Sequence, residues 1–365
     1  MHWTVAASFI HDLNLSTSAW LTPHVTSGRH QFTIIPRRAP LASWHTRKTS
    51  VTNRKEWMDH WLQGSEALQR THGGVITVFP QLASAVGMQK QLSRKQTPIV
   101  AWLFNVGTCS SGMRRQFAKK SLQAIDRFVV HTQRERQIYS EWLDLPIERF
   151  EFVPYQVPEM PVTYAENTTE PFITALGSAH RDFPALFQAV KTLNIPTVVA
   201  ASRRSLEGVS IPDQVQTPFD IGKQDCLRLA QEARINVVPM VPNERVTAAG
   251  QVTIVEAMRM GRALIATRCN GAEDYIIHGE TGLLVEPHSV EDLTNAIQQL
   301  WEDHELRDRL GQNAMQYATE HFSDQAAGAA LGRILDEVAS QVGGKVSFRS
   351  ASPTNGHSFA RLTPP

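Results

Sequence analysis

Short apolar runs alternate with longer amphipathic stretches along most of the 365-residue chain. WTVAASFI (3–10), QFTIIPR (31–37), GVITVFP (74–80), TPIVAWLFN (97–105), RFVVHT (127–132) and FEFVPY (150–155) read as strands. Runs this apolar belong to strands covered on both faces. Between them, residues 54–70, 81–94, 112–126 and 133–143 carry apolar positions at helical spacing. The order of strand, helix and strand predicts a parallel sheet with helices packed on it.

The rhythm breaks at QVPEMPVTYAENTTEP (156–171), which is polar and proline-rich and reads as a linker. It then restarts. Strands are expected at 172–178, 195–202, 235–242 and 262–267, and helices at 181–194, 223–234 and a short one ending at Gly261. From 289 the pattern is mostly helical, with Ser289 and Asp292 placed to cap a helix start. A last helix is expected at 323–340, packing back toward the first half, followed by a disordered Gly-, Ser- and Pro-rich tail at 341–365. The chain is too long for one ordinary core. The expectation is therefore an α/β protein of two doubly wound, Rossmann-like domains facing across a cleft, 1–155 and 172–322.

Composition narrows the function classes. Lys plus Arg number 36 and Asp plus Glu 35, so overall charge gives no case for a nucleic-acid partner. The cysteines, Cys109, Cys226 and Cys269, lie far apart with no zinc-type spacing, and free thiols in a reducing compartment are expected. The N-terminus shows no basic segment followed by a long apolar core, and a cytoplasmic location is the default expectation. There is no GxGxxG after the first strand, no GxxxxGK[ST], no GxSxG and no HExxH. Those absences disfavour nicotinamide dehydrogenases, P-loop NTPases and the common hydrolase and zinc-protease designs.

Open parallel sheets bind ligands at the carboxyl ends of their strands. In the second half those positions carry Arg181, then Arg203 and Arg204, then Arg245, then Arg268 followed by Asn270 and Gly271. Arginines beside helix N-termini suit a diphosphate, although polar loops often hold arginines for no such reason. In AAGQVTIVEAM, Gly250 precedes a helix whose first amides, from Gln251, Val252 and Thr253, can receive phosphate oxygens. Glu256 lies one turn further in. It can accept the two hydroxyls of a ribose, or it can simply pair with a neighbouring cation.

In the first half, His11 beside Asp12, Asn105 and His131 follow strands and are the candidate catalytic groups; lone histidines are more often structural. GMRRQFAKKSLQAID (112–126) is a basic helix, read either as a solvated face or as a surface able to lie on an anionic membrane. Trp44, Trp57, Trp61 and Trp102 can stack on sugars or fill the core.

One stretch is specific enough to carry a resemblance. VTIVEAMRMGRALIATRCNGAEDYIIHGETGLLVEPHSVEDLTNAI (252–297) resembles the donor domain of GT-B glycosyltransferases of the glycogen-synthase-like group, family 4. The matching positions are Glu256-Ala257-Met258, Gly261, Ala266-Thr267, Gly271, Asp274, Gly279 and Thr281 to Val285. Weaker similarity reaches back to the strand at 172–178 and forward to Phe322, and DRFVVHTQRERQIY (126–139) is similar to the family's strand and helix before the hinge.

The resemblance implies a GT-B fold and transfer of a sugar from a nucleotide diphosphate sugar to a glycan, lipid-linked or small-molecule acceptor. It implies retained configuration and no metal or other cofactor. It places the nucleotide on the second domain, with Glu256 on the donor ribose and Arg181 where the family has a basic residue. The chain also departs from the pattern. Ala248 stands where the first glutamate of E-x7-E belongs, Gly177-Ser178 where Gly-Arg is customary, and Asn105 where a histidine is expected. Arg203, Arg204 or Arg268 can replace the lost arginine. Two rival readings stay open: a non-catalytic sugar-nucleotide-binding subunit, and a sugar-nucleotide epimerase on the same fold.

Overall fold

A computed structural model describes residues 1–14, 19–38, 52–244 and 247–350, without the side chains of 342–350. The first half builds a six-stranded parallel sheet from β1 (His2–Ala7), β2 (Gln31–Ile35), β3 (Gly74–Val78), β4 (Ile99–Trp102), β5 (Arg127–Val130) and β6 (Phe150–Phe152), in the order β2-β1-β3-β4-β5-β6. The second half builds another from β7 (Ile173–Leu176), β8 (Thr197–Ala200), β9 (Val215–Gln216), β10 (Ile235–Val238), β11 (Leu264–Thr267) and β12 (Leu283–Val285), in the order β12-β11-β10-β7-β8-β9. Both are doubly wound, and each order reverses once.

The inner strands are buried along their whole length, as the unbroken apolar runs require; β3, β4, β7, β10 and β11 have no residue half-exposed or more. Four helices, α1 (Arg54–Arg70), α2 (Pro80–Ser93), α3 (Gly112–Leu122) and α4 (Gln133–Leu143), pack as one layer on one face of the first sheet. Capping boxes start two of them: Asn53 with Glu56 for α1, and Thr132 with Glu135 for α4. The second sheet is covered by α5 (Phe183–Leu193), α6 (Lys223–Glu232), α7 (Gln251–Arg259), α8 (Val290–Glu302) and α9 (His304–His321).

The last helix, α10 (Asp324–Ser350), returns to the first domain. Ala327, Leu331, Ile334, Leu335 and Val338 recur at helical spacing and are buried against Trp3, Val5, Leu21 and Ile76. Each of the four larger side chains contributes about 1.5–3 kcal/mol by leaving water, which ties the two halves together firmly. The chain crosses between domains twice, and the crossings meet where the Val157 amide donates to the Phe322 carbonyl at 3.0 Å.

Two expectations need correction. Strands β9 and β12 were not expected; they are only two and three residues long and too short to show periodicity. The expected helical stretch after 289 is present as α8 and α9, with Ser289 capping α8 and Asp303 capping α9. α10 continues to Ser350, so residues 341–350 of the expected disordered tail are helical; 351–365 lie outside the described residues. Among the described residues, no helix is long and apolar enough to cross a membrane.

Candidate active site

In the second sheet the strand order reverses between β7 and β10, and the crevice outside their carboxyl ends is the expected ligand site. The two loops there are stitched to each other. The Val241 amide donates to the His180 carbonyl and the Asp182 amide to the Pro239 carbonyl, both at 3.0 Å. Arg181 lies in this seam. Its guanidinium donates to the carbonyls of Leu176 (3.1–3.2 Å) and Ala179 (2.9 Å) and reaches Thr253 Oγ1 at 3.3 Å. Desolvation lowers its pKa to about 10, which leaves it cationic at neutral pH.

Thr253 belongs to the first turn of α7, so Arg181 and this helix start converge. Gly250 precedes the helix with φ +92°. A side chain there would be strained, and its Cβ would sit 2.7 Å from the Met240 sulfur. The first intrahelical bond runs from the Ile254 amide to the Gly250 carbonyl. The amides of Gln251, Val252 and Thr253 therefore have no acceptor within the helix. Val252 is exposed, whereas Gln251 is buried and donates to the Asn270 carbonyl at 2.8 Å. That bond holds the helix start against the turn carrying Gly271.

Glu256 accepts a hydrogen bond from Lys223 at the start of α6 in a salt bridge. The carboxylate is 13% exposed and the ammonium 52%. The sequence reading missed Lys223, because a lysine opening a helix far from the motif gives no signal of its own.

The other arginines do not join this group as free cations. Arg203 stacks over the Phe219 ring and reaches Asp220 at 3.4 Å, and Arg204 is exposed on the same short turn. Arg268 pairs with Glu286 at 2.9 Å. Arg245 lies outside the described residues, as does Trp44.

The first domain meets the second through a buried polar chain. Glu135 is fully buried and accepts from the amides of His131 (2.9 Å) and Thr132 (3.0 Å). Its other oxygen lies 3.0 Å from the Tyr139 hydroxyl, which lies 2.8 Å from Thr247 Oγ1 in the second domain. Thr247 donates in turn to Asn105 Oδ1 at 3.1 Å. Tyr139 also accepts from the Val106 amide. A protonated Glu135 donates to Tyr139, which then donates to Thr247 and Thr247 to Asn105, so every contact in this chain carries one proton. Burial pushes its pKa up to about 7, which favours that form.

His131, at the end of β5, is buried and has its pKa lowered to about 4 by desolvation, so it is neutral. Nδ1 donates to the Val153 carbonyl at 2.8 Å, and Nε2 has no partner. The Tyr275 hydroxyl donates to the His131 carbonyl (2.6 Å) and accepts from the Tyr155 amide (2.8 Å), bridging both domains. Asp274 accepts from the Gln133 amide at 2.8 Å and so caps α4 from across the interface. Gly271, with φ +87°, leaves room for Thr132, whose methyl would lie 2.2 Å from an added Cβ. Thus Asn105, His131 and Gly271 all sit at the domain junction.

His11 is exposed beyond the end of β1. The first sheet reverses between β1 and β3, and there Phe9 and Phe79 meet edge to face at 6.1 Å. Phe79 has φ +78°, a conformation that costs a bulky residue about 1–3 kcal/mol. Of the tryptophans proposed for stacking, Trp102 is core, Trp57 packs against His60 and Phe117, and Trp61 is exposed.

Comparison with known proteins places the second domain and the fold. Residues 202–317 match the family described as Glycosyl transferases group 1. The alpha-D-kanosaminyltransferase of Streptomyces kanamyceticus is 36% identical over 87 residues, 24% of this chain and 22% of that protein. The D-inositol 3-phosphate glycosyltransferase of Corynebacterium glutamicum is 36% identical over 83 residues, 23% of this chain and 20% of the other. The chain thus spans about a fifth of the length of the curated relatives it matches. Among solved structures, sucrose-phosphate synthase from Thermosynechococcus elongatus superimposes with a TM-score of 0.66 at 16% identity, covering 93% of this chain and 100% of that one. Anabaena HepE in complex with UDP gives 0.59 at 12% identity, covering 95% and 100%.

Proposed function

The chain has a GT-B fold whose second domain carries the glycosyl transferases group 1 pattern, and on that premise we propose that it transfers a sugar from a nucleotide diphosphate sugar to an acceptor. One observation carries the reading: Arg181 reaches the open start of α7, and Lys223 pairs with Glu256 one turn further along the same helix. In this reading the diphosphate lies on the α7 amides, beside Arg181. The ribose hydroxyls bind the Glu256 oxygen that Lys223 leaves open. HepE is solved with UDP and with UDP-glucose, so uridine nucleotides are the first to try.

The chemistry follows from charge. The bond between the anomeric carbon and the diphosphate oxygen breaks, and the diphosphate takes the electron pair. An acceptor hydroxyl oxygen bonds to the same carbon and passes its proton to the departing diphosphate oxygen. Fixed amide dipoles and the Arg181 cation offset the charge that grows on the leaving group, which is how the reaction proceeds without a metal. The reading includes retained configuration, with the acceptor on the first domain near Phe9 and Phe79, whose rings offer a stacking face.

Ala248 favours a second reading. It places a methyl group where relatives of this pattern have a carboxylate, so the chain binds nucleotide sugar as a non-catalytic subunit. Incubation with UDP-glucose and assay of released UDP, with and without added glycans, separates the two. Release supports transfer. Tight binding with no release by any donor supports the subunit reading.

A further inference from the structure

Charge is balanced over the whole chain but not locally. Residues 67–125 contain eight Lys or Arg and no Asp or Glu. This tract runs from the end of α1 through α2 and α3, within the helical layer of the first domain.

The same layer concentrates exposed apolar side chains. Among the described residues, Met58, Trp61, Leu92, Met113 and Phe117 are five of the thirteen large hydrophobics left exposed. Met113 is 89% exposed, Met58 58% and Phe117 50%. Met113, Phe117 and Lys120 recur at helical spacing along α3, and Arg54, Met58 and Trp61 along α1. The two stripes adjoin, since the rings of Trp57 and Phe117 lie 6.5 Å apart.

The acids of α1 are engaged: Glu56 caps the helix, Asp59 pairs with Arg37, and Glu66 pairs with Arg70. α2 and α3 carry no acid. On the adjoining α4 end, exposed Asp144 takes Arg115 and Lys119, and exposed Glu141 accepts from Gln137. Around Met58, Met113 and Phe117 the exposed charges of α1 and α3 are Arg54, Lys55, Arg114 and Lys120. One of these helices starts against its own dipole: the first turn of α3 holds Arg114 with no acid and no side-chain cap. Helix stability does not favour that cation, whereas an anionic surface outside the protein does.

We propose that this face of the first domain docks on an anionic lipid bilayer, with Met113 and Phe117 entering the headgroup boundary and the surrounding Lys and Arg contacting lipid phosphates. Apolar side chains ringed by flexible cations suit such an interface, where stems stay in the apolar layer and charges reach the headgroups. α3 directly follows the loop that carries Asn105, so the bilayer lies beside the domain junction. The proposal stands independently of whether the protein is a transferase.

The test is co-sedimentation of the full chain with vesicles of phosphatidylcholine alone and of phosphatidylcholine with phosphatidylglycerol. Binding is expected only to the anionic vesicles. Arg114→Gln with Lys120→Gln lowers partitioning roughly tenfold or more. Met113→Asp with Phe117→Asp abolishes it while leaving the melting temperature unchanged. Lys191→Gln with Arg309→Gln, which removes the same charge from the second domain, leaves binding intact. The proposal is overturned if neither vesicle binds, if the Met113 and Phe117 substitutions bind like the parent, or if the two charge pairs have equal effects. A concentration-dependent dimer lost on Met113→Asp would likewise contradict it, because a second copy would then cover the face.

Discussion

Lys223, at the start of α6, holds one oxygen of Glu256, in the second turn of α7, so the carboxylate at the centre of the motif is oriented by a cation from a different helix. A half-exposed ion pair of this kind contributes little to folding, about 0–1 kcal/mol. Its consequence is for binding. Lys223→Met is expected to leave the melting temperature nearly unchanged and to weaken nucleotide diphosphate binding roughly tenfold, the loss of one charge-assisted contact. Thermal denaturation and calorimetry on the same preparation check both halves. A large drop in stability with unchanged affinity would make the pair structural.

The contact between Tyr139 and Thr247 crosses the domain junction, and both side chains and that of Glu135 are fully buried. Tyr139→Phe removes a partner from Glu135, Thr247 and the Val106 amide together. It is expected to cost about 1–3 kcal/mol. Thr247→Val severs the same chain from the other side. The double variant should therefore lose less than the sum of the two, by at least roughly 0.5 kcal/mol. Urea denaturation of the four proteins gives the coupling, and strict additivity would mean the two side chains act separately.

Glu135 and His131 impose opposite pH dependences. The folded protein holds the Glu135 proton up to about pH 7, whereas the free carboxyl loses it near 4.5. Unfolding releases a proton between those values, so this group's contribution falls as pH rises through the window. His131 stays neutral in the folded protein down to about pH 4, against 6.5 when free. Unfolding there takes up a proton, so its contribution falls as pH drops from about 6.5. From pH 4.5 to 6.5 the two slopes oppose. Relative to the parent, the melting temperature of Glu135→Gln should rise with pH across this range, and that of His131→Asn should fall. Parallel curves for all three proteins would refute the assignment of these protonation states.

The two sheets were legible because buried parallel strands must be apolar along their length, as ITAL and LIAT are. The helix start at Gly250 was legible because its backbone angle and the nearby Met240 sulfur both exclude a side chain. Strands β9 and β12 were not legible, since a two- or three-residue strand is defined by its neighbours. The arginine count misled in part. Position after a strand does not reveal that Asp220 and Glu286 wait for Arg203 and Arg268. Lys223, Thr247 and Tyr275 escaped notice for a related reason: each acts through a partner more than thirty or more than a hundred residues away, and only the fold brings them together.

The most direct test of the donor site is isothermal calorimetry of UDP, GDP and ADP, without added metal, against the parent protein and Glu256→Ala. The account expects one of the three to bind the parent and to bind the variant at least roughly tenfold more weakly, as the loss of a carboxylate that accepts ribose hydroxyls requires. Binding of equal strength to both proteins would remove Glu256 from the site, and no binding of any nucleotide to the parent would contradict the donor site itself.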